Sequence, residues 1–119
     1  MERRADWVDF SLDLTLNPES TEAVLVDFVR RETLRTGRRR LVLGVSGGLD
    51  SAVALTLAVK ALGPRSVLAA ILPYRTSSKS SVRHAAGLVA ALGARRVIID
   101  ITPMVDAYFR TPPSGRVRL

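Results

Sequence analysis

Three short apolar segments constrain the fold of this chain more strongly than any other feature of its sequence. They comprise residues 41–45, 67–72 and 97–101. Runs of this length are typical of strands buried on both faces, and helix-length segments separate them. Strands that alternate with helices form a parallel sheet through right-handed crossovers. The sequence therefore predicts an α/β fold, a Rossmann-like three-layer α/β/α sandwich with a parallel sheet, of which three strands are present.

The segments around these strands carry the signals of four helices. Asn17 and Pro18 suit the cap and the first position of a helix, and Gly37 suits its end. The predicted helices cover residues 18–36, 52–62, 82–92 and 103–109. Residues 73–81 are polar and are predicted to form a loop, and residues 110–119 are predicted to form an irregular tail. The order of elements is thus α-β-α-β-α-β-α.

The composition excludes several classes of function. The chain has 119 residues, which suits a single domain, residues 1–119, and its lack of cysteine excludes disulfides, thiolate catalysis and cysteine zinc sites. Its net charge of +7 favours an anionic partner, but only 5% of the residues are aromatic, so a nucleic-acid partner is not expected. Neither an apolar run of transmembrane length nor an apolar signal core is found, so we expect a cytoplasmic protein without a membrane partner.

A glycine-rich loop, residues 44–51, connects the first predicted strand to the following helix. Ligands of open parallel sheets bind outside the carboxyl ends of the strands, where this loop lies. Gly47 and Gly48 allow their backbone amides to approach an anion closely, and the next helix directs its positive end to the same place. Asp50 would repel a bare phosphate, but it suits a phosphate that carries a Mg²⁺ ion. The loop therefore predicts a site for phosphate and magnesium.

The sequence of this loop differs from two common phosphate-binding motifs and is similar to a third. A Walker A loop ends in Gly-Lys-Ser/Thr, whereas Leu49, Asp50 and Ser51 stand at that place, and a dinucleotide-binding Rossmann loop needs a glycine where Ser46 stands. The sequence Ser-Gly-Gly-Leu-Asp-Ser, residues 46–51, resembles the pyrophosphate-binding loop of the N-type ATP pyrophosphatases. Members of that group cleave ATP between the α- and β-phosphates and form an adenylate that a nitrogen nucleophile attacks.

Two further segments resemble one family of that group, the NAD synthetases. They are residues 72–78 (Leu-Pro-Tyr-Arg-Thr-Ser-Ser), after the second strand, and residues 101–108, after the third, and the resemblance spans roughly residues 17–109. No large amidase domain fits ahead of the loop, so the resemblance implies the ammonia-dependent type. It implies the ATP-dependent amidation of deamido-NAD to NAD, through an adenylated intermediate, with release of AMP and pyrophosphate.

The same resemblance implies roles for individual residues. ATP would be bound by Gly44, Val45, Ser46, Gly47, Gly48, Leu49, Asp50, Ser51, Arg75 and Thr76. Asp50 would also bind Mg²⁺. The deamido-NAD carboxylate attacks the α-phosphate directly, so no catalytic residue is assigned and the enzyme aligns the reactants and neutralises charge. The implied partners are ATP, deamido-NAD, ammonia and a second copy of the chain in a homodimer.

The chain is shorter than members of that family. Residues 112–119 differ from the expected continuation, so the sequence predicts a truncated chain with an incomplete catalytic apparatus and little amidation activity of its own. A half-sheet would also leave an edge and apolar surface uncovered, which predicts self-association.

Other interpretations remain open on the sequence. The glycine-rich loop could bind no ligand, Asp50 could serve only as a helix cap, and Arg75 could be a plain surface residue. The chain could be another ATP pyrophosphatase, such as a tRNA-modifying one, or a non-catalytic ATP-binding module. A hydrolase triad built on His84 is not expected, because the G-x-S-x-G motif is missing.

Overall fold

A computed structural model describes residues 14–110 of the chain. In this range it contains four helices: α1 (Pro18–Arg35), α2 (Leu49–Leu62), α3 (Lys79–Leu92) and α4 (Thr102–Arg110). It also contains three strands: β1 (Leu41–Gly44), β2 (Val67–Ile71) and β3 (Arg95–Ile98). A short 3₁₀ turn, Pro64–Ser66, lies between α2 and β2. Helices and strands therefore alternate in the predicted order.

The described strands form one parallel sheet with the order β1-β2-β3. Leu41 of β1 is paired with Val67 of β2, and Leu68 of β2 is paired with Arg95 of β3. Parallel strands that lie side by side need a crossover connection, which α2 and α3 provide. The predicted α/β class with a parallel, Rossmann-like sheet is confirmed.

The core lies between β2 and the helices α2 and α3. Along β2, Val67, Ala69 and Ile71 are buried, whereas the residues between them are half-buried. Leu55 of α2 and Ala85 of α3 are fully buried and belong to the same cluster. Since side chains alternate between the two faces of a strand, α2 and α3 cover the same face of β2. This packing holds the first turns of both helices at the carboxyl end of the sheet.

Helix α1 precedes the sheet and packs against α2. Asn17 caps α1 by accepting a hydrogen bond from the Ser20 amide at 3.0 Å, which agrees with the predicted start at Pro18. The Arg30 guanidinium donates to the Ala61 carbonyl oxygen at 3.0 Å and attaches α1 to the end of α2. Neither α1 nor any other helix within residues 14–110 is both long and apolar enough to cross a bilayer.

Two helices begin three residues earlier than predicted. Helix α2 begins at Leu49 because the glycine-rich loop leads directly into it. Helix α3 begins at Lys79 because the Ser78 hydroxyl caps it by accepting a hydrogen bond from the Ser81 amide at 3.0 Å. Apolar periodicity marks only the buried turns of a helix, so a polar first turn escapes it.

The third strand is displaced from its predicted position, residues 97–101. It covers Arg95–Ile98, and both of its arginines are exposed, so hydrophobicity did not mark its start. Beyond the strand, the Ile101 amide donates to the Pro73 carbonyl oxygen at 3.0 Å, which keeps the chain beside the segment that follows β2. Helix α4 ends at Arg110, and the rest of the predicted irregular tail lies outside the described residues.

Candidate functional site

The glycine-rich loop leaves the sheet at the carboxyl end of β1. The Val45 amide donates to the Ala70 carbonyl oxygen at 2.9 Å and extends the pairing of β1 with β2 by one residue. Val45 is buried, whereas Ser46 and Gly48 are exposed. The loop therefore starts from a fixed strand end and reaches the surface at the place where parallel sheets bind ligands.

Two serine hydroxyls close the loop on itself. The Ser46 amide donates to the Ser51 hydroxyl oxygen at 3.1 Å, and the two hydroxyl oxygens also lie 3.1 Å apart. The Gly48 amide donates to the Ser46 hydroxyl oxygen at 3.2 Å. The polar groups of the loop thus satisfy one another, and a bound anion would replace some of these hydrogen bonds with its own.

The first turn of α2 presents backbone amides at the end of the loop. Gly48 is the N-cap of α2 and has no side chain with which to cap it. Helical hydrogen bonding begins at Ala52, whose amide donates to the Gly48 carbonyl oxygen at 3.2 Å. The amides before that residue have no carbonyl partner within the helix, and they carry the partial positive charge of its end. This end of α2 suits an anionic ligand.

The glycines of the loop are not equivalent. Gly47 has φ +86°, and a Cβ placed there would lie 2.4 Å from the Ser81 carbonyl oxygen, so both its conformation and its contact with α3 require glycine. A Cβ on Gly48 would lie 3.3 Å from the Ser46 hydroxyl oxygen, and one on Gly44 would meet nothing within 4 Å. Close approach was expected at several glycines of the loop. It is tightest at Gly47, and the segment that approaches Gly47 is α3.

A cavity of about 200 Å³ lies beside the loop, between the ends of β1 and β2 and the start of α3. Its polar wall consists of the hydroxyl-bearing residues Ser46, Ser77, Ser78 and Ser81. Leu72 and Pro73 are among the apolar residues of its other wall. A cavity with hydroxyls on one side and apolar side chains on the other suits a small polar ligand that also has an apolar face.

Three of these serines were missed by the sequence analysis. Ser77, Ser78 and Ser81 lie in a segment that we predicted to be a loop, although Ser77 and Ser78 belong to a stretch that resembles the NAD synthetases. A signal was available, since Ser78 stands shortly before the apolar periodic residues that begin at Val82, and serine is favoured as a helix cap. That signal places α3 earlier and brings its first turn to the glycine-rich loop.

Arg75 and Thr76, predicted to border the nucleotide, lie on the exposed turn after β2 and do not line this cavity. The Arg75 guanidinium donates to the Tyr74 hydroxyl oxygen at 3.1 Å and to the Asp106 carboxylate at 2.9 Å. The hydrogen bond to Tyr74 and the negative charge of Asp106 raise the pKa of Arg75, so it stays charged. The structure thus brings the residues of the loop together and places Arg75 against α4.

Asp50 lies in the first turn of α2 and is exposed. It makes no ion pair with any residue in the described range, and no group of three acidic, histidine or cysteine side chains forms a metal site there. Mg²⁺ is usually held by one or two carboxylates together with phosphate oxygens and water. A single carboxylate without an ion pair among the described residues, next to the glycine-rich loop, fits such an ion.

A second, larger concavity of about 530 Å³ lies between α1 and α2. Apolar side chains such as Leu16, Leu25 and Val53 line most of it, and Glu22 is the charged residue on its wall. It offers no cation and no cluster of hydroxyls to an anionic ligand. The glycine-rich loop and the hydroxyl-lined cavity therefore remain the candidate site.

The parallel sheet, with a glycine-rich loop at the carboxyl end of its first strand, defines a Rossmann-like α/β protein of the kind that binds ligands at this end. The sequence matches the NAD synthase family over residues 21–116. The chain belongs to the NAD synthase family, as the sequence analysis predicts. The matched range continues beyond residue 109, so the family likeness extends into the segment that we expected to differ from it.

Curated relatives carry the name NH(3)-dependent NAD(+) synthetase. The relative from Chlorobaculum parvum is 45% identical over 107 residues, which are 89% of this chain and 39% of that protein. The relative from Chlorobaculum tepidum is 50% identical over 98 residues, which are 82% of this chain and 35% of that protein. The chain thus spans less than two-fifths of the length of these relatives.

Solved structures show the same fold. An NMN synthetase from Francisella tularensis superimposes with a TM-score of 0.78 at 29% identity, over 87% of this chain and 42% of that one. The NH3-dependent NAD synthetase from Campylobacter jejuni superimposes with a TM-score of 0.77 at 28% identity, over 86% of this chain and 44% of that one. The described elements therefore correspond to part of a larger NAD synthetase fold.

Proposed function

We propose that this chain provides the ATP-binding segment of an ammonia-dependent NAD synthetase. The observation that carries the proposal is the glycine-rich loop, which lies at the carboxyl end of β1 and leads into a helix without a side-chain cap. Membership of the NAD synthase family and relatives named for ammonia dependence support it.

In this proposal the loop binds the pyrophosphate part of ATP. The amides of Gly47 and Gly48 and those of the first turn of α2 donate to phosphate oxygens, and the hydroxyls of Ser46 and Ser51 exchange their mutual hydrogen bond for bonds to the ligand. Gly44, Val45 and Leu49 contribute backbone, and Arg75 and Thr76 border the nucleotide from the turn after β2.

Asp50 is the residue that would hold Mg²⁺ in this site. When bound, the ion would neutralise the negative charge of the phosphates and of the leaving pyrophosphate. The role of Asp50 is to supply an anionic oxygen beside the loop, where the α2 amides supply positive partial charge. The Asp50 carboxylate would thus bind the cation and the α2 amides the phosphate anion, within a few residues of each other in the sequence.

The reaction proposed for the complete enzyme is the amidation of deamido-NAD. Its carboxylate displaces pyrophosphate at the α-phosphate of ATP, and ammonia then displaces AMP from the adenylate to form the amide. No covalent bond to the protein is formed, so the contribution of this segment is to align and stabilise the phosphates. Because the chain spans less than two-fifths of its relatives, we expect little amidation by the 119-residue chain alone.

Titration of the ¹⁵N-labelled chain with Mg·ATP tests the binding proposal. We expect the amide resonances of residues 46–51 to shift, and Asp50→Ala to weaken the Mg²⁺-dependent part of the affinity. Resonances that stay unmoved at millimolar Mg·ATP would overturn the proposal. Adding deamido-NAD and ammonium to the same sample separates a catalytic segment, which releases pyrophosphate, from a module that only binds ATP.

We also propose that the chain self-associates as a homodimer. Among the described residues, β1 lies at an edge of the sheet, where Val42 is 70% exposed, and Phe28 of α1 and Phe109 of α4 are also exposed. An open edge and exposed aromatic side chains favour association. Light scattering tests this, and a monomer at high micromolar concentration would contradict it.

A further inference from the structure

A tight turn follows β2 and forms part of the cavity beside the glycine-rich loop. In this 74–77 turn (Tyr74–Ser77), the Ser77 amide donates to the Tyr74 carbonyl oxygen at 2.7 Å, and the Tyr74 amide donates to the Ser77 hydroxyl oxygen at 3.0 Å. Ser77 and the adjoining Ser78 line the cavity. The position of the 74–77 turn therefore determines where two of the cavity hydroxyls lie.

A carboxylate of α4 holds the other side of this turn. One oxygen of Asp106 accepts hydrogen bonds from the Tyr74 hydroxyl at 2.8 Å and from the Arg75 guanidinium at 2.9 Å. Its second oxygen lies 3.6 Å from the Arg110 guanidinium. The Asp106 side chain is only 11% exposed, whereas the Arg75 side chain is 62% exposed. The hydrogen bond from the Tyr74 hydroxyl is therefore better shielded from water than the bond from Arg75.

The backbone joins the same two segments at a second point. The Ile101 amide, one residue before α4, donates to the Pro73 carbonyl oxygen at 3.0 Å, one residue before the 74–77 turn. The turn is thus attached to the α4 region through the backbone at Pro73 and through side chains at Asp106. Without the Asp106 contacts, the hydrogen bond between Ile101 and Pro73 would be the remaining attachment to the α4 region among the described residues, and the turn would be less constrained.

We propose that Asp106 is a positioning residue that fixes the 74–77 turn and, through it, the hydroxyls of Ser77 and Ser78 beside the glycine-rich loop. Its value to ligand binding rests on the proposed function, because the cavity adjoins the loop to which ATP binding is assigned. The positioning itself is a property of the ligand-free chain. Asp106 was not among the site residues that the sequence predicted.

Amide hydrogen exchange of the ligand-free, full chain tests the positioning. In Asp106→Ala, the Ser77 amide is expected to exchange about tenfold faster, which corresponds to a loss of about 1.4 kcal/mol. Asp106→Asn keeps an oxygen that can accept from the Tyr74 hydroxyl, so it should restore most of the protection. Tyr74→Phe removes the hydroxyl that donates to Asp106 and should also accelerate exchange of the Ser77 amide. It provides the test if Asp106→Ala does not fold.

A matched control and a double variant separate this role from general destabilisation. Asp27→Ala removes the exposed ion pair with Arg31 on α1, whose side chains lie 2.8 Å apart, and should leave the Ser77 amide unchanged. The Tyr74→Phe/Asp106→Ala double variant should accelerate exchange by less than the product of the two single effects, because both changes remove the Tyr74–Asp106 hydrogen bond. Unchanged Ser77 exchange in both single variants would overturn the positioning role.

The affinity of the Asp106 variants for Mg·ATP tests whether the 74–77 turn contributes to the candidate site. Asp106→Ala is expected to weaken Mg·ATP binding by about threefold to tenfold, with Asp106→Asn close to the unsubstituted chain. Faster exchange of Ser77 with unaltered Mg·ATP affinity would show that the turn does not serve the site and would overturn that part of the inference. If the unsubstituted chain binds no Mg·ATP, the proposed function fails, while the exchange of Ser77 still decides whether Asp106 fixes the turn.

Discussion

The glycine-rich loop and the 74–77 turn follow neighbouring parallel strands at the same end of the sheet, yet they are held in different ways. The hydrogen bonds of the loop serines join residues two to five positions apart. The 74–77 turn also has local bonds, but Asp106, 32 residues after Tyr74, anchors it. The hydrogen bonds of the first segment therefore lie within a short motif, whereas those of the second also involve α4.

This difference has a consequence for how the candidate site is built. The loop contributes backbone amides whose arrangement is defined by hydrogen bonds among its own residues and with the strand end, and by the close approach of Gly47 to α3. The turn contributes hydroxyls whose positions depend on α4. A ligand that contacts both segments would thus be sensitive to substitutions far from the glycine-rich motif.

Gly47→Ala is expected to have the largest effect, because it breaks the close packing of the loop against α3. Alanine would have to adopt the φ of +86° found at residue 47, and its Cβ would lie 2.4 Å from the Ser81 carbonyl oxygen. We expect the free energy of unfolding to fall by about 2–4 kcal/mol, measured by urea denaturation. Gly87→Ala is the control, since its Cβ meets nothing within 4 Å and the residue lies in α3, where alanine should add about 0.5–1 kcal/mol. Similar values for the two variants would show that the loop does not touch α3.

Ser78→Ala is expected to have an intermediate effect, because it removes the cap of α3 next to the 74–77 turn. The Ser81 amide loses its acceptor at 3.0 Å, which should lower the free energy of unfolding by about 1 kcal/mol. Ser78→Gly should cost only a few tenths of a kcal/mol, since glycine is itself tolerated as a cap. The hypothesis of a capping role would be wrong if both variants had the same urea midpoint.

Ser51→Ala is expected to have the smallest effect on the free energy of unfolding. It tests how much a hydrogen bond within the loop contributes, compared with the packing of the loop against α3. The Ser46 amide loses an acceptor at 3.1 Å, but water reaches this exposed loop, so the free energy of unfolding should fall by about 0.5–1 kcal/mol. Ser66→Ala, outside both segments, should lie within about 0.5 kcal/mol of the unsubstituted chain. If Ser51→Ala lowered the free energy of unfolding more than Gly47→Ala does, the expected order of the effects would be wrong, and so would the importance given to the packing of Gly47 against α3.

The boundaries that the sequence predicted well are those with a local cause. Asn17 and Pro18 mark the start of α1 because the cap is made within three residues. Polar starts of elements were predicted late, as at Lys79 and Arg95, because hydrophobic periodicity reports burial and these residues are exposed. The ATP-binding roles of the glycine-rich loop remain predictions, and only its geometry is now described.

By itself, the sequence determined the alternation of strands and helices, the parallel sheet and the family, because each depends on periodicity or on a motif of a few consecutive residues. Only the tertiary structure decided that Ser81 approaches Gly47, that Ser77 and Ser78 line a cavity, and that Asp106 holds Tyr74. Those contacts join residues about 30 positions apart, and the packing of α2 and α3 on the sheet, together with the hydrogen bonds of α4 to the segment after β2, brings them together.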